Sequence, residues 1–276
     1  MTIDLEREHA TFRKRLGYEL DLENPVSFCH KLVWKKLYDR NPLMVPTSDK
    51  IAVVDYVFQI LGEEAKPLIK KKYWSGNDLN IPFDDLPEKY VVKATHGSKW
   101  NLFVTPEMDK EYVLKKCRYW LNRSRGRRIN DPTQYAVPRG IIIEEYATEP
   151  NGDFLIPYNF HVIHGRVEMI TVYQGDYRRE YTVTVYDPNW HRLDVTWNYH
   201  NNPPSERPVK FQEMIEIAER LGADFDYVRI DLHAPGDRLL FGEISHIPVG
   251  GWIPIQPRSY DFEFGDKWHL KPGYWK

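Results

Sequence analysis

Tyr227-Val-Arg-Ile-Asp-Leu-His233 and, after Ala-Pro-Gly-Asp, Arg238-Leu-Leu-Phe-Gly-Glu-Ile-Ser245 are the stretch from which the fold of this chain is read. Two runs of alternating character flank turn residues at Pro235 to Asp237, a pattern that predicts a β-hairpin. A turn over those three residues pairs Asp231 with Phe241 and Arg229 with Glu243, because opposed residues of an antiparallel pair keep a constant index sum. In that register Arg229, Asp231 and Glu243 share one face, while Val228, Ile230, Leu232, Leu240 and Ile244 share the other; a turn one residue shorter would put Glu243 among the apolar side chains. Two carboxylates and a guanidinium on a half-buried face suit a hard divalent cation held against phosphate oxygens. The same residues also suit a surface ion-pair network, and spacing alone does not separate the two.

Composition frames the choice. With 276 residues, 42% of them apolar and 14% aromatic, the chain can bury one large core or two smaller ones and reads as a globular protein. A formal net charge of -2 argues against bulk binding to nucleic acid or an anionic membrane, although Arg123-Ser-Arg-Gly-Arg-Arg128 and Lys70-Lys-Lys72 are local basic clusters able to meet phosphate. No apolar run reaches the length of a membrane span and the first residues are too charged for a secretory signal, so a cytoplasmic protein is expected. Cys29 and Cys117 fall in amphipathic helix patterns, which fits reduced core thiols rather than a disulfide framework or a catalytic thiol. The ten histidines show no zinc-ligand spacing.

Along the chain the pattern is α+β without repeats. Asn24-Pro25 reads as an N-cap with proline in the first turn, opening a helix to about Arg40. Ser48 reads as the cap of a second helix carrying Val53, Val57, Ile60 and Leu61, which Gly62 stops. Strands follow at Tyr90 to Thr95 and Asn101 to Thr105 around His96-Gly-Ser-Lys-Trp100, then a helix from about Pro106 to Asn122. Gly140 to Tyr146 is an apolar strand ending in Glu144-Glu145. Strands at Asn159 and Arg166 turn at His164-Gly165, another runs from Tyr181 to Tyr186, and a loop rich in Pro, Asn and Trp spans Asp187 to Pro208. A helix with Met214, Ile215, Ala218 and Leu221 on one face feeds the hairpin. The tail from His246 to Trp268 is expected to be an ordered irregular loop over a site.

Three segments carry chemistry. A strand delivers Lys93 just before the Gly97-Ser98 turn, whose backbone N–H groups can cradle phosphate beside the ammonium. Glu144-Glu145 ends a buried strand where a carboxylate and backbone groups can meet an adenine edge. The hairpin supplies Arg229, Asp231 and Glu243. Lysine strand, Gly-Ser turn, helix, Ile-Ile-Ile-Glu-Glu strand, then Arg-x-Asp with a later Gly-Glu is an order that resembles the ATP-grasp superfamily. More narrowly, the chain resembles the TupA-like ATP-grasp proteins of bacterial surface-polysaccharide clusters. The resemblance runs through Asn24-Pro25, Lys31-Leu-Val-Trp-Lys-Lys-Leu-Tyr-Asp-Arg-Asn-Pro42, Ser48-Asp-Lys50, Phe83-Asp-Asp-Leu-Pro87, Val92-Lys-Ala-Thr-His-Gly-Ser98, Tyr186-Asp-Pro-Asn-Trp190, Val228-Arg-Ile-Asp231 and Phe241-Gly-Glu243.

That resemblance implies two α+β subdomains clamping a nucleotide: a helical layer over 1–80, a small subdomain over 81–148 and a large one over 149–276. It implies ATP and Mg²⁺ as cofactors, with Lys93 on the α- and β-phosphates, Gly97-Ser98 closing over them, and Glu144 on the adenine amino group. The backbone of Glu145 and Ala147, with Tyr146 between them, completes the hinge. Asp231 and Glu243 are the implied metal ligands, Arg229 is the residue on the transferring phosphate or the tetrahedral intermediate, and Arg229 and Lys93 are the implied catalytic residues. The implied activity is a carboxylate–amine ligase working through an acyl phosphate in capsule or other surface-polysaccharide synthesis. Phosphoryl transfer to a sugar or acid, and a binding module without catalysis, are the alternatives. Departures from the family pattern are Lys99 where glycine is usual, Asn159 where a lysine is usual, with His161 or Arg166 as substitutes for it, and Ser245 in place of an asparagine metal ligand. For a substrate carboxylate, Arg258 and the Arg123 to Arg128 cluster are the candidates.

Overall fold

The computed structural model describes residues 1–175, 182–199 and 204–270. Tyr181, where a strand was expected to start, and residues 200–203 of the Asp187 to Pro208 loop lie outside the described residues. The chain opens with α1 (Leu5–Leu16), α2 (Phe28–Tyr38), α3 (Met44–Ser48) and α4 (Val53–Leu61). Next come β1 (Lys72–Gly76), β2 (Tyr90–Ala94), β3 (Asn101–Val104), α5 (Lys110–Leu121), α6 (Arg125–Ile129), α7 (Pro132–Ala136) and β4 (Ile141–Glu145). β5 (Tyr158–Ile163), β6 (Arg166–Gln174), β7 (Thr182–Tyr186), β8 (Thr196–Trp197) and α8 (Phe211–Gly222) precede β9 (Tyr227–His233), β10 (Leu240–Ser245), β11 (Ile255–Gln256) and α9 (Arg258–Asp266). The architecture is α+β, built on one antiparallel sheet of order β1-β4-β2-β3 and a second of order β10-β9-β5-β6-β7, with a small β11-β8 pair.

Alternation in the strands decides what each sheet buries. Val92, Ala94, Ile141 and Ile143 point with Val113, Cys117 and Trp120 of α5 into one core. In the larger sheet, Phe160, Val162, Ile170, Val172, Val228, Ile230 and Leu232 face α4 and α8. Its opposite face carries Met169, Val183, Val185 and Tyr227 against α1, α2 and α9. That second face turns polar toward the β5–β9 crossing, where Asn159 stands opposite Asp231 and His161 opposite Arg229. The site therefore occupies the wet end of a face whose other end is aromatic core.

Several sequence expectations move. α2 begins at Phe28 because Asp21 gathers Asn24 N–H into a turn at 2.8 Å, and Ser27, rather than Asn24, caps the helix by accepting His30 N–H at 3.0 Å. Ser48 ends the short α3 instead of capping a helix; Asp49 accepts Ile51 N–H at 2.8 Å across the junction, and α4 starts at Val53. Gly62, at φ 62, does close α4. A strand, β1, lies in the stretch read as helical and pairs with β4. The tail holds α9 rather than only irregular chain, since Phe264 and Trp268 supply an apolar side that α2 buries.

The hairpin register is also corrected. The observed pairs are Leu240↔His233 and Phe241↔Leu232, then, after a bulge, Glu243↔Asp231, Ile244↔Ile230 and Ser245↔Arg229. The connection is longer than the expected turn, running from Ala234 to Leu239. The bulge sits at Gly242 and lets both Phe241 and Ile244 reach the apolar side, which a regular strand forbids for residues three apart. Phe241 thus takes the place expected of Leu240. Arg229, Asp231 and Glu243 still share the polar face, with Glu243 opposite Asp231 instead of Arg229.

Candidate nucleotide and metal site

On the hairpin face, Arg229 Nε donates to Asp231 Oδ1 at 2.7 Å and Nη2 donates to Asp231 Oδ2 at 2.6 Å. Nη2 also reaches Glu243 Oε1 at 3.2 Å. The pairing is the ion-pair network that spacing allowed, but it is not a surface one: the side chains of Arg229 and Asp231 are 12% and 11% exposed. Burial pushes the Asp231 carboxyl up to about 7 against the pull of Arg229. Burial also pushes Glu243 up, but Lys50 and Arg229 outweigh it and hold that carboxyl below the usual range. One cation shared by two carboxylates leaves the trio net negative, which favours a divalent cation.

Gly242 sets this geometry. A Cβ there would meet Asp231 O at 2.9 Å, Asp231 Cβ at 3.1 Å and His233 Nε2 at 3.1 Å, so only glycine lets β10 close on β9 at this height. Asn159, opposite Asp231 on β5, is buried and its Oδ1 has no hydrogen-bond partner among the described residues. An orphaned amide oxygen opposite Asp231, with Glu243 on the strand beyond, is a hard-oxygen donor set that would fit Mg²⁺. Among the described residues no group of three or more His, Cys, Asp or Glu side chains is placed to hold a metal ion by itself.

Across the cleft, β2 presents Lys93 diagonally to Glu144 on β4, and the two form a salt bridge. Burial pushes Glu144 up, yet Lys93 and Lys70 win and hold it low. Glu145 is engaged differently: its N–H donates to Lys71 O at 2.8 Å and its carboxylate takes Arg238 at 2.8 Å. Ala147 lines the cleft with Val91, Phe103, Phe154 and Pro157, while Tyr146 turns its ring edge-on to Phe103. Gly97 lines the cleft with Lys93, Asp231 and Glu243, and Ser98 lines the adjoining recess beside Lys50. Lys99 after Ser98 sits at φ 60, a left-handed conformation that the usual glycine adopts without penalty.

Two further lysines join the halves: Lys70, from the basic cluster read as able to meet phosphate, and Lys50, from the Ser48-Asp-Lys50 motif, to which no role was given. Lys50, from the α3–α4 junction, donates to Gly97 O at 2.7 Å and lies 3.9 Å from Glu243 Oε2. Lys70, just before β1, donates to Phe241 O at 2.6 Å, and burial lowers its ammonium to about 8. Both line the cleft together with Lys93, Asp231, His233 and Glu243. Lys50 stands in the Ser48-Asp-Lys50 motif and Lys70 in a basic triplet; neither pattern carries the information that both point inward.

The substitutes offered for the missing lysine do not stand there. His161 is buried in the aromatic core, hydrogen-bonded to Tyr227 Oη at 3.0 Å, and Arg166 sits at the exposed end of β6, 3.7 Å from Glu219. Arg258 lies on Gly17 O and over the Tyr18 ring, away from the cleft. Of the Arg123 to Arg128 cluster, only Arg125 lines the cleft, on the side of Lys50 and Ser245.

A family model described as TupA-like ATP-grasp matches residues 30–269 of the chain. Among solved structures, D-alanine–D-alanine ligase from Bacillus anthracis complexed with ATP is 13% identical, with a TM-score of 0.44 over 87% of this chain and 63% of that one. The Helicobacter pylori D-alanine–D-alanine ligase is 12% identical, with a TM-score of 0.47 over 88% and 68%. N5-carboxyaminoimidazole ribonucleotide synthetase from Thermus thermophilus is 11% identical, with a TM-score of 0.44 over 76% and 48%. The chain thus spans between about half and two thirds of the length of these proteins. No curated protein matches it.

Proposed function

Because the chain belongs to the TupA-like ATP-grasp family, we propose that it is an ATP- and Mg²⁺-dependent ligase that joins a carboxylate to an amine. One observation carries the reading: Lys93 and Glu144 of one sheet face Asp231 and Glu243 of the other across a single cleft, with Lys50 and Lys70 between them. In this reading residues 81–148, together with β1 from the stretch expected to be helical, and residues 149–276 are the two jaws of the clamp, and the N-terminal helices lie beside them. Glu144 takes the adenine amino group at the mouth of the apolar pocket, with backbone of Glu145 and Ala147 beside it. Lys93 and Lys70 neutralise the α- and β-phosphates under the Gly97-Ser98 turn. Asp231, Glu243 and the Asn159 amide oxygen hold Mg²⁺, which neutralises charge on the outer phosphates when bound.

The chain's own part is positioning and electrostatics. A carboxylate oxygen of the substrate attacks the γ-phosphorus, the bond to the bridging oxygen breaks, and ADP leaves. The amine nitrogen then attacks the acyl carbon, phosphate leaves, and a proton passes from nitrogen to solvent. Arg229, fixed by Asp231 and Glu243, supports the negative charge that develops in both steps. Surface-polysaccharide assembly in the cytoplasm is the setting the family suggests; among the described residues no helix is long and apolar enough to cross a membrane.

Calorimetric titration with a non-hydrolysable ATP analogue and Mg²⁺ tests the first half, with saturable binding expected and none at millimolar nucleotide overturning it. Trapping with hydroxylamine tests the second. A hydroxamate formed with ADP release supports the acyl phosphate, whereas a stable phosphate ester in the mass spectrum would replace the ligase with a phosphotransferase.

A further inference from the structure

Beyond the hairpin carboxylates the cleft continues into a recess walled by Lys50, Arg125, Gln134, Arg229, Glu243 and Ser245. Three cations line it, and two are engaged. Arg229 makes three hydrogen bonds to carboxylates, and Lys50 donates to Gly97 O. Arg125 differs: it is half-buried, and among the described residues no acceptor hydrogen-bonds its guanidinium and no carboxylate pairs with it. Two of its neighbours in the cluster stand over rings, Arg123 over Tyr119 at 4.1 Å and Arg127 over Tyr135 at 5.8 Å.

Arg125 is also held in place. Ser124 caps α6 by accepting Arg127 N–H at 3.3 Å, and Gly126 packs so closely on α7 that a Cβ would lie 2.2 Å from Tyr135 N. Asp131, the nearest acid on that wall, spends its carboxylate on Gln134 N–H at 3.1 Å as the cap of α7. Burial pulls Arg125 down, with Glu243 and Asp131 only partly offsetting it. Around it, the side chains of Ser48, Ser98, Thr133 and Gln134 make no hydrogen bond among the described residues and present donors and acceptors to the recess.

We propose that the acid substrate is a dianion: its reacting carboxylate lies beside Glu243 and the phosphates, and a second anionic group, carboxylate or phosphate, pairs with Arg125. This rests on the ligase reading. In this reading the reacting carboxylate sits at the hairpin and the second group at Arg125 on the α6 wall, which shares the recess with Glu243 without pairing with it. A monoanion filling the recess would strip water from Arg125 without replacing it, whereas a dianion supplies the missing partner. Selection by a half-buried donor that has no other partner among the described residues discriminates between the two classes of acid.

The test uses the intact chain with ATP, Mg²⁺ and hydroxylamine, and matched acids: succinate against succinamate, glutarate against glutaramate, phosphoglycolate against glycolate. The dianionic member of a pair should be preferred. Arg125→Gln should raise its KM on the order of 10- to 100-fold with kcat nearly unchanged and abolish the preference, the size expected for losing one charged hydrogen bond; Arg125→Lys should recover part of it. Equal use of both members by the unsubstituted chain, or an unmoved KM in Arg125→Gln, overturns the proposal. If none of these acids yields hydroxamate, phenylglyoxal labelling read by peptide mapping decides. Protection of Arg125 by succinate or inorganic phosphate and not by succinamate upholds the anion site, and labelling indifferent to all three overturns it. Calorimetry with the ATP analogue, run alongside, reports failure of the nucleotide reading separately.

Discussion

At the scale of single residues, Gly242 governs the metal side of the cleft. Gly242→Ala pushes a methyl to 2.9 Å from Asp231 O, and overpacking of this kind costs about 1–3 kcal/mol; urea denaturation should show that loss together with weaker Mg²⁺-dependent nucleotide binding. Asp231→Asn removes a ligand while keeping the shape, so hydroxamate formation should fall by at least about 100-fold with the far-UV spectrum intact. Unchanged turnover would remove Asp231 from the metal site. Lys70 gives a pH signature. Its folded value, about 8, lies below the ordinary lysine value of 10.5, so the folded protein gives up this proton more readily than the unfolded chain, and the stability this contributes, complete above about 10.5, is lost as pH falls to about 8. Bound phosphates favour the ammonium instead. Affinity for the ATP analogue should therefore weaken as pH rises from 7 to 9, and Lys70→Arg should flatten that slope. The sequence marked Lys70 only as one of three adjacent basic residues; what singles it out, the reach to Phe241 O, belongs to β10 and is invisible locally.

Elements show where local signals suffice and where they do not. α2 is legible in outline from the proline signal before it, but nothing local shows that its Lys35-Lys36 pair is buried. Lys35 Nζ lies 2.5 Å from Asp39 and 2.6 Å from Asp226, and Lys36 pairs with Glu8 of α1. Lys35→Met would strand two carboxylates in the core. The expected loss is about 3–5 kcal/mol by chemical denaturation, and restoring most of it with a second change, Asp226→Asn, would confirm that the charge imbalance, not lost packing, is the cause. α9 went unread for a related reason. Prolines and glycines punctuate the tail from Pro248 to Pro257, while the helix that follows owes its place to Phe264 and Trp268 packing on Phe28, contacts across the length of the chain.

At the scale of the whole molecule, two antiparallel sheets meet at one cleft, and residues from both line it. A nucleotide that binds only the assembled cleft should stabilise it by about 2.7 kcal/mol at a hundredfold excess over Kd, seen as a rise in Tm. Lys93→Met, which breaks the pairing with Glu144, should abolish most of that rise while moving the ligand-free Tm far less. A Tm insensitive to nucleotide in the unsubstituted chain would argue against the clamp. Lys50 and Lys70 tie the α3–α4 junction and the approach to β1 to opposite walls, so the helical layer takes part in the cleft rather than merely covering it.

Alternating side chains by themselves determined most of the strands, though not β1, and the sharing of one face by Arg229, Asp231 and Glu243, because strand periodicity is a local property of the backbone. Motif order determined the family for the same kind of reason: it is written along the chain. Only the tertiary structure decided that Glu243 stands opposite Asp231, since the bulge at Gly242 is settled by how closely two strands approach and by which of Leu240 and Phe241 fills the core. It alone decided that Lys50, Lys70 and Arg125 face the cleft while His161, Arg166 and Arg258 do not. A long cationic side chain carries no periodic signal of direction, and its orientation is set by the walls that other segments build around it.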